Sequence, residues 1–412
     1  MQTLFTNISI FDGSGGKPFP GEVLVVGNRI KAVASGAARL PRLESEIVDG
    51  GGSTLMPGMV EAHAHLSWPS AIDRVINTMT MPAEEHLLIT ARNARITLDC
   101  GFTSAFSAGS LGRRFEIALR NEIDGGWLPG PRLKASSIER APGPVFGVPQ
   151  SQEQVHERGP QAMRAYVESC AEMGLDSVKL LLSGDDNFTP NGSQDLVYSE
   201  AEVAAAGDQA RRSGIWLACH AQAAAAVKLG VRHGFRALYH CSYADEEALD
   251  MMEERKSDIF VGPAIGLAYA AIHADPAIGL PQALIERGKR ILDLQCRLVP
   301  LLRQRGIKVL PGGDYGFPHN PIGRNARDLE LFVSLLGYRP EEVLMAATKW
   351  GGELMGMGDE LGQIREGFLA DLLLVQGDPT QDISILQDRD KLLMIMKDGV
   401  CHKRPQEKYG AN

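Results

Sequence analysis

The sequence predicts an α/β protein, a (β/α)8 TIM barrel with a small β-sandwich domain formed from both termini. Three observations lead to this prediction. Eight short apolar runs alternate with longer amphipathic stretches between residues 59 and 314. Five of the amphipathic stretches end at a glycine that an apolar run follows directly. Both ends of the chain instead carry short β-type runs separated by turn residues.

The alternation of runs is the basis for the barrel. The eight apolar runs are MVEAHAHL (59–66), TSAFSAG (103–109), RLKASS (132–137), SVKLLLSG (177–184), IWLACHA (215–221), ALYHCS (237–242), DIFVGPAI (258–265) and IKVLPGGD (307–314). The helix-like segments between them include 82–99, 159–173, 199–213 and 280–305. Strands that alternate with helices through short loops form a parallel sheet. Eight such units over roughly 250 residues favour a barrel over an open sheet.

The glycines predict where helices end. They occur in LDCG-FTSAF, AEMG-LDSVK, RRSG-IWLAC, VRHG-FRALY and RQRG-IKVLP. Glycine adopts the left-handed conformation that terminates a helix without the steric cost other residues incur. We therefore expect a helix to end, and a strand to begin, at each of these five sites.

The two ends of the chain predict a second domain. TLFTNISIFDGSGG and GEVLVVGNRIKAVA near the start, and GFLADLLLVQGDP and LLMIMKDGVCH near the end, are β-type runs between Gly, Asn and Pro turns. We assign residues 1–57 and 365–412 to one β-sandwich and residues 58–364 to the barrel.

Composition excludes several classes of protein. The chain has 412 residues, 44% apolar and 23% charged, as ordinary soluble globular proteins do. A net charge of −9 argues against a nucleic-acid partner, which requires concentrated basic surface. The absence of a signal peptide or a long apolar run argues against secretion or a membrane partner. Six cysteines without CxxC spacing indicate reduced thiols and a cytoplasmic protein.

Polar residues at the predicted strand ends form a candidate site, because catalytic residues of a parallel barrel lie at the carboxyl ends of its strands. The residues concerned are His63 and His65 on the first strand, Lys179 on the fourth, His220 on the fifth, His240 on the sixth and Asp314 on the eighth. Strand periodicity places His63 and His65 on the same side of the sheet, so both imidazoles can reach one ion. By itself this pair is equally compatible with an accidental loop.

Lys179 is the most unusual member of the set. A lysine in a buried strand is costly unless it is paired or neutralised. It could pair with Asp185 or Asp186. It could also lose its proton, since buried lysines readily do so, and add carbon dioxide to become a carbamate that bridges two metal ions. The candidate metal-binding histidines at the other strand ends favour the carbamate over the ion pair.

The remaining candidates each have a structural alternative. His220 and His240 are either metal ligands or hydrogen-bonded core histidines. Asp314 is either a ligand and general base or the N-cap of a following helix. His319, on the loop after the eighth strand, and Tyr243, just past His240, are candidates for contact with substrate. Tyr243 is otherwise a partly buried aromatic with a solvated hydroxyl.

These residues together resemble the amidohydrolase superfamily over nearly the whole chain. PGMVEAHAHL, VKLLLSG, ACHAQ, YHCS and GGDYGFP occur in the family's order, and ELGQIREGFLADLLLVQGDP is similar to the family's return into its β-sandwich. RNARITLDCGFTSAFSAG, PGPRLKAS and NARDLELFV are most similar to the imidazolonepropionase-related group. That group includes dipeptidases that release a C-terminal amino acid and amidases of the ochratoxin-hydrolysing kind.

The resemblance implies two divalent metal ions. It implies His63, His65 and Asp314 on one ion, His220 and His240 on the other, and a carboxylated Lys179 between them. Zinc suits such a site best, although manganese, cobalt or iron would also fit. The resemblance also implies a homo-oligomer and a small-molecule amide substrate. For the reaction we expect Asp314 to carry the proton and Tyr243 to hydrogen-bond the oxyanion or a substrate carboxylate.

Two departures from the family concern the pocket wall. Relatives often have a charged residue where this chain reads AFSAGS, and the sixth strand usually reads EHG where this chain reads YHCS. Neither departure removes a candidate ligand. We therefore expect hydrolysis of an N-acyl amino acid, a dipeptide-like amide or an aromatic amide.

Three other functions compete with amide hydrolysis. A deaminase of the same superfamily generally uses one metal without a bridging lysine, so Lys179 argues against it. A hydrolase of cyclic amides shares all the metal residues and differs only in pocket shape. If the protein were a non-catalytic binding protein, we would expect some of the candidate metal-binding residues to have been replaced, whereas all six are present.

Overall fold

The computed structural model describes residues 2–71, 81–142, 157–186 and 191–405, which form a mixed α/β fold. The strands are β1 (Gln2–Ile10), β2 (Phe19–Val26), β3 (Arg29–Ser35), β4 (Glu46–Asp49), β5 (Thr54–Pro57), β6 (Met59–Ala64), β7 (Phe102–Ser107), β8 (Arg132–Lys134), β9 (Ser177–Leu181), β10 (Trp216–Ala223), β11 (Ala237–Tyr243), β12 (Phe260–Gly262), β13 (Lys308–Val309), β14 (Leu372–Val375), β15 (Leu392–Lys397) and β16 (Val400–Lys403).

The described α-helices lie mainly between the strands of the middle part. They are α1 (Ala83–Asp99), α2 (Phe115–Asp124), α3 (Pro160–Glu172), α4 (Glu200–Ser213), α5 (Ala224–Arg232), α6 (Glu246–Glu254), α7 (Ile265–Ile272), α8 (Gln282–Gln304), α9 (Arg327–Ser334), α10 (Pro340–Met345) and α11 (Gly351–Leu354). The four helical segments named from the sequence correspond to α1, α3, α4 and α8, within two residues at each end.

Strands β6 to β13 pair in parallel, and each of the eight predicted runs overlaps one of them. They form a three-stranded group, β6-β7-β8, and a five-stranded group in the order β13-β12-β11-β10-β9. Parallel bridges from Ser136 to Ser177 and from Arg140 to Leu180 connect the two groups. The Tyr239 hydroxyl on β11 also donates to the carbonyl of Ala62 on β6, at 2.9 Å.

The five predicted glycine stops are confirmed. Gly101, Gly174, Gly214, Gly234 and Gly306 have φ angles of 84°, 81°, 66°, 83° and 73°. Each stands one or two residues beyond the end of a helix, in the left-handed conformation that glycine adopts without a steric penalty. Two or three residues past each glycine the next parallel strand has begun.

Strands from both ends of the chain share one sheet. Its order is β16-β15-β14-β5-β1-β2-β3, with β4 paired to β1. Strand β5 joins the two ends, because it pairs with β1 on one side and antiparallel with β14 on the other. Phe5, Leu55 and Leu374 lie in the apolar core of this sheet. The sandwich arrangement and the three domain boundaries stay predictions.

Two further expectations concern the chain as a whole. Within the described ranges, no helix is both long and apolar enough to cross a bilayer. All six cysteines are free, as the lack of CxxC spacing predicted.

Candidate metal centre

Three residues from the two ends of the parallel strand series converge on one point. His63 is on β6, His65 follows that strand directly, and Asp314 follows β13. One donor atom from each lies within 4.8 Å of the others, and all three side chains are buried. Asp314 Oδ1 is 3.2 Å from His65 Nε2 and 3.8 Å from His63 Nε2. The chain therefore offers two imidazole nitrogens and a carboxylate at one place.

A backbone carbonyl orients His65. His65 Nδ1 lies 3.1 Å from the Gly109 carbonyl, which can only accept, so Nδ1 carries a proton, and Nε2 faces Asp314. An outer hydrogen bond of this kind sets the tautomer of a metal-binding histidine. Gly109 has a φ of 128°, which favours glycine, and a Cβ there would crowd Glu139 Cβ at 3.0 Å.

His220 and His240 lie beside this trio. Their ring centroids are 4.4 Å apart, and the His240 ring is 5.5 Å from that of His63. They are close because β10 and β11 are adjacent, with Ala221 opposite His240. His220 Nε2 is 3.3 Å from the Gly184 carbonyl and 3.6 Å from Asp185 Oδ2. Among the described residues, however, only the trio brings three donor atoms within 4.8 Å.

Lys179 is buried on β9 with its ammonium group fully engaged. Nζ donates to the Ala108 carbonyl at 2.8 Å and lies 3.0 Å from Glu139 Oε1, and it stands 4.6 Å from the centre of the Tyr239 ring. The sequence left open a pairing of this lysine with a carboxylate such as Asp185 or Asp186, and in the structure the carboxylate is Glu139 instead. The loop after β8 runs along β9 and brings Glu139 to the lysine, whereas Asp185 pairs with Arg287 and Asp186 with Arg290.

Burial keeps three of the imidazoles neutral at neutral pH. It lowers the pKa of His63 and His240 well below the usual value, and it lowers that of His220 to about 4. The neutral imidazole is the form that binds metal. Burial also acts to lower the pKa of His65, but the hydrogen bond and charge of Asp314 outweigh it and raise that pKa.

Asp314 stays ionised despite its burial. Burial acts to raise its pKa, but the hydrogen bond from His65 and the positive charges nearby hold it below the usual value. The Nδ1 atom of His63 is buried and has no hydrogen-bond partner among the described residues. Neutral imidazoles and an ionised carboxylate are the donors that a borderline divalent cation such as zinc prefers. The residues present therefore fit a divalent metal ion.

Asp314 does not serve as a helix N-cap. The next described α-helix begins at Arg327, and its N-cap position is Ala326. The carboxylate is thus free of the alternative role that the sequence left open.

The two candidate substrate contacts are less closely tied to the trio. The hydroxyl of Tyr243 accepts from Arg290 Nε at 3.2 Å, and Arg290 also binds Asp186 at 2.6 Å. His319 is half-buried, its ring centroid 5.8 Å from that of Phe317. Burial lowers the pKa of His319 to about 4, and the charge of Asp314 acts against that shift. Their contact with substrate stays a prediction.

Three residues at the site were missed from the sequence. Tyr239 stacks on His63 with ring centroids 3.9 Å apart. Glu139 pairs with Lys179. Glu61 accepts from the His63 backbone N–H at 3.1 Å and from Asn325 Nδ2 at 2.7 Å. Only Glu61 had a usable signal, because it is a carboxylate inside an apolar run, as Lys179 is a cation inside one.

Comparison with known proteins agrees with this geometry. Residues 54–401 match the amidohydrolase family. The chain is 25% identical over 429 aligned positions to the ochratoxinase of Aspergillus niger, covering 95% of this chain and 84% of that one. It is 25% identical over 363 positions to the imidazolonepropionase of Symbiobacterium thermophilum, covering 81% and 77%.

A solved structure shares the whole fold. A Xaa-Pro dipeptidase crystallised with methionine in its active site superposes with a TM-score of 0.85 at 24% identity, over 98% of this chain and 100% of that one. Together with the family match over most of the sequence, this establishes the class of protein. The chain belongs to the amidohydrolase family and is a hydrolase acting on carbon–nitrogen bonds.

Proposed function

We propose that this protein hydrolyses the amide bond of a small molecule at a centre of two divalent metal ions. The observation that carries the proposal is the convergence of His63, His65 and Asp314 within 4.8 Å. Two neutral imidazoles, those of His220 and His240, adjoin that trio. Buried histidines from three separate strands that meet beside an ionised carboxylate are the donor set of a metal site.

The six candidate ligands divide between the two ions. His63, His65 and Asp314 would hold one, His220 and His240 would hold the other, and Lys179, after reaction with carbon dioxide, would supply a further ligand between them. The burial of Lys179 supports this division, because carboxylation removes a positive charge from the interior. Zinc is the first choice for such donors. When bound, the ions would make a water more acidic and polarise the substrate carbonyl.

Asp314 is the group that moves the proton. Its carboxylate is ionised and oriented by His65, so it can take a proton from the attacking water and deliver it to the leaving nitrogen. Tyr243 and His319 contact the substrate in this proposal. Tyr243 is aligned by Arg290 to donate its hydroxyl proton to an oxyanion or a carboxylate.

The fold gives this site its context. We infer that β6 to β13 close into a (β/α)8 barrel over residues 58–364, with the terminal β-sandwich over 1–57 and 365–412. The bridges that connect the two strand groups and the contact of Tyr239 with Ala62 support closure. We also infer a cytoplasmic homo-oligomer, for which the six free cysteines support the compartment.

The preferred substrates are amides that release an amino acid. The relatives named as ochratoxinase and Xaa-Pro dipeptidase support N-acyl amino acids, dipeptide-like amides and aromatic amides. The relative named as imidazolonepropionase supports a cyclic amide as the second candidate. A deaminase remains less favoured because Lys179 lies within the site.

The test combines a substrate panel with a lysine variant. Protein loaded with zinc in the presence of bicarbonate is assayed on N-acyl amino acids, dipeptides and cyclic amides. We expect turnover of linear amides, and we expect Lys179→Ala to abolish it and to lower the metal content from about two ions per chain to one or less. Lys289→Ala, at a surface ion pair, is the control and should behave as wild type.

Each result has a clear reading. A Lys179→Ala variant that keeps its activity and its metal would disprove the carbamate. A strong preference for cyclic amides would replace the first substrate class with the second. Loaded wild-type protein that hydrolyses neither class would disprove the proposed function.

A further inference from the structure

Two candidate ligands have a backbone conformation that residues with a side chain rarely adopt. His240 has a φ of 72° and Asp314 a φ of 57°, both in the left-handed region. His240 lies within β11, three residues before its carboxyl end, and Asp314 lies five residues beyond the end of β13. Such conformations persist only where the surrounding structure holds them, and they concentrate at functional sites. Something must therefore hold each of these two residues.

For Asp314 the holding group is the side-chain amide of Asn320. Asn320 is fully buried, and its Nδ2 donates to the carbonyls of Gly313 at 2.7 Å and Asp314 at 2.9 Å. Its Oδ1 in turn accepts from Arg327. The two amide protons thus hold two consecutive carbonyls across the left-handed turn, and the arginine holds the amide.

For His240 the holding group is Gln295 on α8. Gln295 is also fully buried, and its Nε2 donates to the His240 carbonyl at 2.6 Å and to Ser242 Oγ at 3.0 Å. The arrangement repeats that at Asp314 with residues from a different part of the chain. In both cases a neutral amide of a buried side chain satisfies the carbonyl of a ligand with positive φ.

We propose that Asn320 and Gln295 are positioning residues that aim Asp314 and His240 at the metal centre. The inference rests on the proposed function. A buried carbonyl must find a donor, and a carbonyl that loses its donor drives the backbone towards another conformation. An amide supplies that donor without adding charge, so it leaves the electrostatics of the ligand set unchanged. The carboxylate and the imidazole then remain directed at the ions.

The two positioning residues reach different ions, which gives each a distinct signature. Asp314 belongs with His63 and His65 in the proposed centre, whereas His240 belongs with His220. Loss of the Asn320 amide should therefore weaken the binding of one ion, and loss of the Gln295 amide should weaken the binding of the other. A general loss of stability would instead weaken the binding of both ions in both variants.

The experiment titrates metal-free protein with Co²⁺ in bicarbonate buffer. Asn320→Leu and Gln295→Met remove the donors at similar volume. Visible absorption and native mass spectrometry follow the sites separately, and urea unfolding without metal checks the fold. We expect each variant to bind one ion at least tenfold more weakly and the other as wild type does. Thr348→Val, which removes a buried 2.7 Å hydrogen bond to the Leu344 carbonyl, is the control and should bind both ions normally.

Milder variants provide the test if either replacement fails to fold. Arg327→Met removes the donor to Asn320 Oδ1, together with a hydrogen bond to the Gly266 carbonyl, but leaves the Asn320 amide protons in place. Ser242→Ala removes one of the two Gln295 acceptors. Each variant should therefore weaken binding of the same ion as the corresponding amide variant, by a smaller factor. The inference is overturned if the variants bind both ions with wild-type affinity and spectrum, or lose both equally. Wild-type protein that binds no Co²⁺ would overturn the proposed metal centre, and this role with it.

Discussion

Lys179 Nζ and Glu139 Oε1 lie 3.0 Å apart, joining a fully buried strand residue to a loop that faces the candidate site. The lysine side chain is 1% exposed and the glutamate 19% exposed. The pair explains how the interior holds a cation before any carboxylation. It also means that formation of a carbamate must separate Lys179 from its counter-ion.

Glu139→Gln should destabilise the metal-free protein. The change leaves a buried ammonium without its counter-ion, which costs about 2–4 kcal/mol of unfolding free energy. Urea unfolding in the presence of a chelator measures the difference. Glu286→Gln, which breaks the exposed pair with Lys289, is the control and should leave stability unchanged. Equal stability of Glu139→Gln and wild type would show that the Lys179–Glu139 pair does not stabilise the folded protein.

Asp314→Asn should remove activity while preserving shape. The carboxylate is both a proposed ligand and the proton carrier, so we expect turnover to fall at least about 100-fold, with loss of metal from the trio. Steady-state kinetics and metal analysis of the same samples report both effects. The control is Asp398→Asn, at the ion pair with Arg132 outside the site, which should retain activity. Normal turnover by Asp314→Asn would exclude Asp314 from the chemistry.

Glu116 should make stability fall as pH rises. Burial raises its pKa from 4.5 to about 7, against the hydrogen bonds from the Ser136 N–H and the Ser107 hydroxyl. The folded state thus binds the proton more tightly than the unfolded state. The stabilisation is complete below about pH 4.5 and is lost as pH rises through 7.

Glu116→Gln tests this pH dependence. The neutral amide keeps the shape, and the Ser107 hydroxyl can turn to accept from it. Relative to this variant, wild type should lose up to about 3 kcal/mol of unfolding free energy between pH 4.5 and 8. Urea unfolding of metal-free protein at several pH values measures the gap. The prediction would be contradicted if the difference in unfolding free energy between wild type and Glu116→Gln stayed constant over this pH range.

Tyr239→Phe should separate stability from metal binding. The hydroxyl donates to the buried Ala62 carbonyl at 2.9 Å, and its loss leaves that acceptor unpaired, at a cost of about 1–2 kcal/mol. The ring remains stacked on His63, so metal affinity should change little. Tyr239→Leu removes the ring as well and should lower both the stability of the protein and its affinity for metal. A Phe variant with wild-type stability would show that the Ala62 carbonyl finds another donor.

Much of the fold could be predicted because its signals are local. Helices stop at Gly101, Gly174 and Gly214 since only the glycine backbone adopts the required angle at no cost, and that preference is readable from neighbouring residues. His63 and His65 could be placed on one side of β6 from strand periodicity alone. Asp314 could be placed with them because parallel strands end at a common edge.

The remaining features depended on which segments pack together. The partner of Lys179 is Glu139 and not Asp185, which is nearer in the sequence, because the loop after β8 lies along β9. Tyr239 reaches Ala62 across 177 positions of sequence, and Gln295 reaches His240 across 55. The sequence by itself determined the strand and helix order and the residue types of the candidate ligands. The tertiary structure alone decided their counter-ions, stacking partners and supporting amides, because a buried polar group pairs with whatever the packed chain brings within hydrogen-bond distance.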